Sequence, residues 1–296
     1  MKLEEAMRAV QDYYELANPG EDDNFRLVEA LEFLIAETKE PKYMCELGWH
    51  YCRQKRFDLE VKYMEMAAES GYGPALEELG YVWYYGQNGE VDYAKAYEYY
   101  SKGAEADGSL WCKLKIADMY KNGYYVRKNK RRYRKLIEEA YEEVRMRYGI
   151  GEPYPQIAFR LAGIRAEDGK TEEAAWLLKM AKHYLAERLS VDFFWGHVEE
   201  MEEIVRTLYG LAPLDESKLD FYDLFVVTDT PGRVTFKRRR KTYEMDFSGD
   251  DRAIHFQGKW YRNFRDLCEK AEVGGKKIVC ICDEFEEFKV YGKEDC

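Results

Sequence analysis

The sequence contains few residue groupings that could perform catalysis. Its four histidines, His50, His183, His197 and His255, all lie outside an HExxH zinc motif. No serine lies in GxSxG, and no glycine-rich phosphate loop is present. His197 and Glu200 are three residues apart, a spacing that could hold a metal, but a helix rich in glutamate gives it by chance. We therefore predict no catalytic residue, no metal site, no cofactor and no enzymatic activity.

Two further groupings, one acidic and one of cysteines, also lack the spacing of a known ion site. The acidic group near the C-terminus consists of Asp283, Glu284, Glu286 and Glu287. It lacks the alternating ligands and central glycine of a calcium loop, so we interpret it as a solvated turn. The seven cysteines include no CxxC pair, which argues against a zinc knuckle. Reduced thiols in a cytoplasmic protein are the simplest interpretation.

The densest local charge is a run of five basic residues, Lys237–Lys241, between two expected strands. One interpretation is a solvated hairpin tip; the other is contact with an anion, a nucleic acid or an acidic partner. Phe236 and Tyr243 flank the run, and aromatic rings can stack on bases. The candidate anion-binding residues are Arg238, Arg239 and Arg240. Because the chain carries a net charge of −11, nucleic acid is not the favoured partner.

Composition places the 296-residue chain among globular proteins that can bury a core. Apolar residues make up 46% and charged residues 35%, and the chain contains 26 tyrosines, which suit half-buried helix faces and binding surfaces. No apolar run approaches the roughly 18 residues of a membrane helix. The opening MKLEEAMRAV lacks the pattern of a signal peptide. We expect a cytoplasmic protein with no membrane partner.

A helix–turn–helix pattern must position most of these residues. In residues 75–108, apolar and small residues recur at helical spacing in two segments, with turns at Asn88-Gly89 and Asp107-Gly108. The key apolar positions of successive copies are Leu47, Leu79, Ile116 and Leu161, and each is followed by a small residue: Gly48, Gly80, Ala117 and Ala162. Glycine within a helix costs about 1 kcal/mol relative to alanine. Its recurrence indicates that neighbouring helices approach closely at these positions.

The frame L-G-x-x-Y-x-x-G, a second helix and a closing A-x-x-G resemble the Sel-one-like repeat, a relative of the tetratricopeptide repeat. The frame is most complete in residues 75–108 and recurs in residues 47–71 and 116–140, whereas residues 157–184 are closer to a plain tetratricopeptide hairpin. Two further helices before residue 40 and one after residue 193 complete the helical part. The resemblance implies an α/α superhelical solenoid that binds a peptide or protein.

In such solenoids the first helix of each hairpin lines the concave surface. The resemblance places the groove-facing positions two, five and six residues after the key apolar residue. The candidate partner-binding residues are Trp49, Arg53, Tyr81, Tyr84, Tyr85, Asp118, Lys121 and Asn122. Surfaces rich in Trp, Tyr and Arg favour partner contacts, although some of these tyrosines could instead pack between repeats.

The sequence pattern changes near Ala212-Pro213, where β-branched and aromatic residues begin to alternate with polar ones. We predict a mainly α protein, with a solenoid over residues 1–211 and a small α+β domain of unrecognised family over residues 212–296. The expected strands are DLFVVTD, RVTFKRR, TYEMDFS, RAIHFQG, KKIVCIC and FKVYG, with one helix, YRNFRDLCEKAEVGG. The short join favours a docked small domain.

The function that these expectations favour is a non-enzymatic adaptor or scaffold that binds a protein or peptide partner in the groove. Two alternatives stay open: binding of nucleic acid or an anion through the basic hairpin, and an effector or enzyme with an unrecognised site in the small domain. The sequence gives neither the partner nor the oligomeric state.

Overall fold

The computed structural model describes residues 1–16, 18–106, 108–148, 154–191, 193–249 and 253–292. Over these ranges the chain forms thirteen α-helices and seven strands. It divides into two compact units, Met1–Ala140 and Tyr141–Cys296. The domain boundary expected between residues 211 and 212 rests on a change of sequence pattern and stays a prediction.

The helices that begin in the first unit are α1 (Leu3–Glu15), α2 (Glu21–Thr38), α3 (Pro41–Arg53), α4 (Phe57–Ala68), α5 (Gly73–Tyr85), α6 (Tyr93–Ala106), α7 (Leu110–Asn122) and α8 (Lys130–Tyr148). Within this unit α1, α3 and α5 each pack against the helix that follows, and successive hairpins pack through α2 and α3, α4 and α5, and α6 and α7. This is the stacked-hairpin arrangement that the repeats predict.

Glycines stop α5 and α7 because glycine adopts the left-handed conformation without a steric penalty. Gly86 follows α5 with φ of 66° and its N–H donates to the Val82 carbonyl; Gly123 follows α7 with φ of 82° and donates to the Met119 carbonyl. Gly108 also has a positive φ, of 69°, while its neighbour Asp107 lies outside the described residues.

The small residues inside the helices allow the close packing that the sequence indicates. A Cβ atom built on Gly80 would overlap the ring of Tyr100 on α6, which is fully buried. At the equivalent place in the preceding hairpin, a Cβ on Gly48 would lie 2.9 Å from Met64 Cε on α4. Each first helix therefore receives a bulky side chain of its own second helix where it carries a glycine.

The second unit contains α9 (Pro155–Glu167), α10 (Thr171–Val191), α11 (Trp195–Leu211), α12 (Leu224–Val227) and α13 (Phe264–Lys270). Its strands are β1 (Gly232–Arg238), β2 (Lys241–Asp246), β3 (Ile254–Phe256), β4 (Lys259–Tyr261), β5 (Glu272–Val273), β6 (Lys276–Lys277) and β7 (Phe285–Gly292). Five strands form an antiparallel sheet in the order β4-β3-β2-β1-β7, and β5 pairs with β6. A mainly α chain with a small α+β region is thus confirmed.

Charged contacts fasten the C-terminal region to the helices before it. The buried Lys182 of α10 pairs with Asp223, and its Nζ lies 2.7 Å from Asp220 Oδ2. Arg265 of α13 pairs with Glu202 of α11 at 2.7 Å. The C-terminal region therefore packs against α10 and α11 within the second unit.

Two expected strands of this region are wrong. DLFVVTD begins at the last residue of a 3-10 turn, Phe221–Asp223, and continues as α12, because the Asp220 side chain accepts the Tyr222 and Asp223 N–H groups and starts a helical turn. KKIVCIC contributes only the two residues of β6 and then forms 3-10 turns. The expected helix that begins at Tyr261 is shorter: the chain forms β4 first, α13 ends at Lys270, and β5 follows.

Candidate interaction face

The eight candidate partner-binding residues lie on α3, α5 and α7, and we call the surface that they define the first-helix face. It is built by the first helices of three successive hairpins of the first unit. The repeat frame thus brings residues up to 73 positions apart in the chain, from Trp49 to Asn122, onto corresponding positions of stacked helices. Whether a partner uses this face stays a prediction.

Neighbouring first helices are joined by polar contacts of the same design. The Trp49 indole N–H on α3 donates to Glu78 Oε2 on α5 at 2.8 Å. Lys115 Nζ on α7 donates to Tyr85 Oη on α5 at 2.7 Å. The two contacts share a pattern. An aromatic residue of one first helix, Trp49 or Tyr85, forms a hydrogen bond with a charged residue of the next first helix, Glu78 or Lys115. That charged residue immediately precedes the key apolar residue of its own helix. These two contacts hold aromatic rings of the face in fixed positions.

The tyrosines of α5 form the centre of an aromatic cluster. The ring of Tyr85 lies 4.5 Å from that of Tyr81 and 4.8 Å from that of Tyr84. Tyr85 remains 49% exposed, whereas Tyr84 is half-buried against Tyr93 and Tyr124. Burial raises the pKa of the Tyr81 and Tyr84 hydroxyls, which therefore stay protonated donors at neutral pH.

A lysine ammonium sits among these rings. Lys115 Nζ lies 5.0 Å from the ring centroid of Tyr85, 5.4 Å from that of Tyr84 and 4.4 Å from that of Trp111. Lys115 is buried, so its cation–π contacts are largely desolvated and strong. The open part of the cluster therefore consists of Tyr85 and Tyr81, and the closed part is organised around Lys115.

The other candidates of the face differ in exposure. Arg53, Lys121 and Asn122 are exposed, and Lys121 Nζ lies 5.5 Å from the centroid of the Tyr133 ring on α8. Asp118 is buried at 7% exposure. Its charge contributes to the raised pKa of Tyr84, so it lies next to the aromatic cluster. An approaching partner meets Arg53 and Lys121 before it meets Asp118.

Beneath the face, two carboxyl groups lie in an unusual environment. Glu60 of α4 is fully buried, with the Cys52 thiol of α3 beside its carboxyl group. Burial and the charge of Glu78 raise the pKa of Glu60 to about 7; the nearby Cys52 thiol offsets part of the rise. Burial also raises the pKa of Glu78, against which the Trp49 hydrogen bond acts. The region between α3 and α5 therefore contains two carboxyl groups whose pKa values are raised by burial.

Three residues of this region are absent from the sequence-based set: Glu78, Lys115 and Trp111. A signal for two of them exists in the repeat frame. The position immediately before the key apolar residue is charged in the three repeats of the first unit, with Glu46, Glu78 and Lys115. A charged residue at a fixed place beside an apolar core position indicates a side chain that turns towards the neighbouring helix. Trp111 has no such signal, because it lies at the start of α7, before the frame begins.

The basic run of the second unit lies at the β1–β2 hairpin, as expected, but its charges have acidic partners. Arg238 makes a bidentate contact with Glu284 at 3.1 and 3.0 Å, and Arg239 lies 3.5 Å from the same carboxylate. Lys237 pairs with Glu287 at 2.6 Å. The acidic turn and the basic run, which the sequence presents as separate features, are one ion-pair network. Arg240 is exposed at the tip.

The rings beside this run are not available to stack on bases. Phe236 is fully buried and Tyr243 is 9% exposed, and the two rings stack on each other in the core of the sheet with centroids 5.6 Å apart. These flanking aromatic residues therefore do not support nucleic-acid binding. Alternation along β1 and β2 places both residues on the inner face of the sheet.

The remaining sequence candidates do not converge. Glu200 accepts a hydrogen bond from Gln156 at 2.8 Å, and His197 packs on the ring of Phe194. Across the described ranges, no group of three or more His, Cys, Asp or Glu side chains is arranged to hold a metal ion. Nor does any helix in those ranges combine the length and apolarity needed to cross a bilayer.

Comparison with solved structures establishes the fold. The chain is similar to a Sel1 repeat protein from Oxalobacter formigenes, with 19% identity and a TM-score of 0.52 over 72% of this chain and 82% of that one. It is also similar to c5321, a protective antigen of uropathogenic Escherichia coli strains with an SLR fold (21% identity, TM-score 0.49, 71% and 41% of the chains). A third similarity is to PilW, a type IV pilus biogenesis factor (14% identity, TM-score 0.41, 71% and 95%).

No protein-family model matches the sequence, and the search of curated proteins found no match. The first structural comparison, together with the stacked hairpins, defines the class: the helical part has the Sel1-like repeat solenoid fold that its sequence resembles.

Proposed function

We propose that this chain is a non-enzymatic interaction scaffold that binds a protein or peptide segment on its first-helix face. The observation that carries the proposal is the half-exposed aromatic cluster of Tyr81, Tyr84 and Tyr85, held in place by the buried Lys115. Rigid aromatic rings bury a large area with little loss of conformational entropy, which is why Tyr and Trp dominate binding hot spots.

The polar groups around the cluster would orient the partner. Arg53, Lys121 and Asn122 are exposed at the C-terminal ends of α3 and α7, where they can contact a partner that lies across the helices. Asp118 would act from beneath, through the aromatic cluster. Repeat solenoids offer such extended surfaces because each hairpin repeats the same face. We place this activity in the cytoplasm, where the cysteines would stay reduced.

The other functions considered have less support. Three residues of the basic run, Lys237, Arg238 and Arg239, already contact carboxylates. An anion that binds there must therefore compete with Glu284 and Glu287. Salt bridges that the fold supplies lower the electrostatic gain from a new phosphate. The functional groups of a catalytic site do not converge in the described ranges, which favours the scaffold over an enzyme.

Affinity purification from the native cells, followed by mass spectrometry, tests the scaffold. The bait is the wild-type chain, compared with Tyr81→Ala/Tyr85→Ala. This variant leaves the more buried Tyr84 in place, which favours a folded bait, and circular dichroism verifies folding. We expect at least one prominent partner to be lost, because truncation of hot-spot tyrosines costs 2 kcal/mol or more, roughly a 30-fold loss of affinity.

The matched control is Tyr125→Ala, since Tyr125 is 64% exposed but lies outside the first-helix face, after α7. Partners retained by the control and lost by the double variant support the proposal. If the same partners accompany all three baits, the first-helix face is not the binding surface, and the proposal fails.

A further inference from the structure

The acceptor groups between α3 and α5 carry information about the partner beyond the aromatic cluster. Among the buried side-chain atoms of the described chain that lack a geometrically defined hydrogen bond, four from this region are acceptors, Glu46 Oε2, both carboxylate oxygens of Glu60 and Gln87 Oε1, whereas Trp83 Nε1 on α5 is a donor. Buried polar atoms are almost always hydrogen-bonded in folded proteins. Acceptors predominate among these atoms, so the region favours a partner that supplies donors.

Glu78 is the member of this region that a partner can reach. It is half-buried on α5, and its Oε2 accepts the Trp49 indole N–H. Its Oε1 accepts no hydrogen bond from the described residues. Behind it, Glu60 adds a second carboxyl, and no lysine or arginine of the described residues affects the pKa of either group. Only Glu46 has a nearby cation, Lys42, which is itself 2.7 Å from Glu40.

The cations of the face itself are engaged elsewhere. Arg53 lies beside the Tyr14 hydroxyl of α1, and Lys115 of α7 donates a hydrogen bond to Tyr85 of α5. The region around Glu78 is thus acidic, rich in acceptors and bordered by the half-buried rings of Trp49 and Tyr81.

From this arrangement we infer that the partner presents an arginine side chain, which pairs with Glu78 between Trp49 and Tyr81. A guanidinium has five N–H donors in one plane and stacks on aromatic rings, so it matches both the acceptors and the rings. Lysine supplies the same charge without the plane and ranks second. The inference rests on the proposed function, because it names the anchor of a segment bound to that face.

The test uses a random 12-residue peptide library displayed on phage, selected against the wild-type chain, Glu78→Gln and Tyr81→Ala/Tyr85→Ala. Gln keeps an oxygen to accept the Trp49 hydrogen bond but removes the charge. The matched control is Glu69→Gln, an exposed glutamate at the end of α4. We expect the wild type and the control to enrich peptides with a shared arginine, and Glu78→Gln to lose that preference.

The affinity of a selected peptide then isolates the charge. Replacing its arginine with citrulline, which has nearly the same shape without the charge, is expected to weaken binding to the wild type about 10-fold or more. Against Glu78→Gln the same exchange should change affinity less than about 2-fold, because the paired charge is gone. Should Glu78→Gln fail to fold, the citrulline exchange on the wild type still decides the matter.

The outcomes separate the two proposals. Enrichment that depends on Tyr81 and Tyr85 but shows no basic residue, or a citrulline exchange without effect on the wild type, overturns the arginine anchor and leaves the scaffold standing. An equal citrulline loss on wild type and Glu78→Gln also overturns it. No enrichment above that of the double tyrosine variant overturns both.

Discussion

The first-helix face of the first unit and the basic hairpin of the second both concentrate charged and aromatic side chains, yet the fold treats them in opposite ways. At the hairpin, Arg238 forms an ion pair with Glu284 and Lys237 forms one with Glu287, and the neighbouring aromatic rings are buried in the core of the sheet. At the face, tyrosine rings remain open and the carboxyls of Glu60 and Glu78 lack cations. A charged motif indicates binding when the folded chain supplies no opposite charge to pair with it. The sequence motif alone does not show whether such a pair forms.

The largest expected effect comes from the fully buried carboxyl of Glu60. Glu60→Gln should raise the free energy of unfolding by about 3 kcal/mol above pH 7, since a pKa of about 7 instead of 4.5 corresponds to that energy at 1.36 kcal/mol per pH unit. The native state holds the Glu60 proton that the unfolded chain releases, so wild-type stability should fall as pH rises from about 4.5 to about 7. Urea unfolding at pH 4.5, 6 and 8 measures both effects.

The variant should lose most of this dependence, and the two proteins should differ little at pH 4.5. The groups that face Glu60 are Cys52 on α3 and Glu78 on α5, and burial also raises the pKa of Glu78. A residual slope in the variant is therefore expected from Glu78. Equal stability of the two proteins at pH 8 would show that a donor satisfies Glu60 in solution and would remove the contrast with the basic hairpin.

The next effect concerns the packing that supports the face. Gly80→Ala should lower the free energy of unfolding by about 2 kcal/mol, because the added methyl group overlaps the buried Tyr100 ring. Gly163→Ala on α9 is the matched control: nothing lies within 4 Å of its added Cβ, so the better helix former should stabilise by up to about 1 kcal/mol. Opposite signs in denaturant unfolding support the packing role; a stabilising Gly80→Ala contradicts it.

The smallest effects are expected at the basic hairpin. Arg238→Ala should lower the free energy of unfolding by no more than about 1 kcal/mol, since the side chain of its bidentate partner Glu284 is 35% exposed and water screens the pair. Arg239→Ala/Arg240→Ala should change it by less than about 0.5 kcal/mol. Fluorescence anisotropy with a single-stranded and a duplex oligonucleotide should show only weak binding, the same for both variants and the wild type. Salt-sensitive binding that the substitutions abolish would revive nucleic acid as a partner.

The sequence predicted the helical hairpins well because their signals are local. Helical spacing, glycine stops and a small residue facing a bulky one all act within about 30 residues, and Gly80 against Tyr100 is the clearest case. The C-terminal errors have the opposite origin. The apolar runs of DLFVVTD and KKIVCIC are buried on several sides, and a short buried run has no periodicity that separates a strand from a helical turn.

The candidate site was only partly predictable. The repeat frame gave the positions of Tyr81 and Tyr85, whereas the roles of Glu78 and Lys115 depend on which residue the next first helix brings beside them. The pairing of Arg238 with Glu284 likewise joins residues 46 positions apart through the β1–β7 pairing. Contacts of this range depend on strand order and helix stacking, which a single sequence does not specify.

The two contacts that join the first helices also make the repeats non-interchangeable. The α3-to-α5 contact runs from an indole donor to a carboxylate, and the α5-to-α7 contact runs from an ammonium donor back to a phenol. If the α5–α6 hairpin were deleted, Trp49 would meet Lys115, and two donors would face each other without an acceptor. The order of the hairpins along the gene is thereby encoded in their junctions, and recombination that shuffles or removes one of them would be penalised even though every hairpin keeps the same shape.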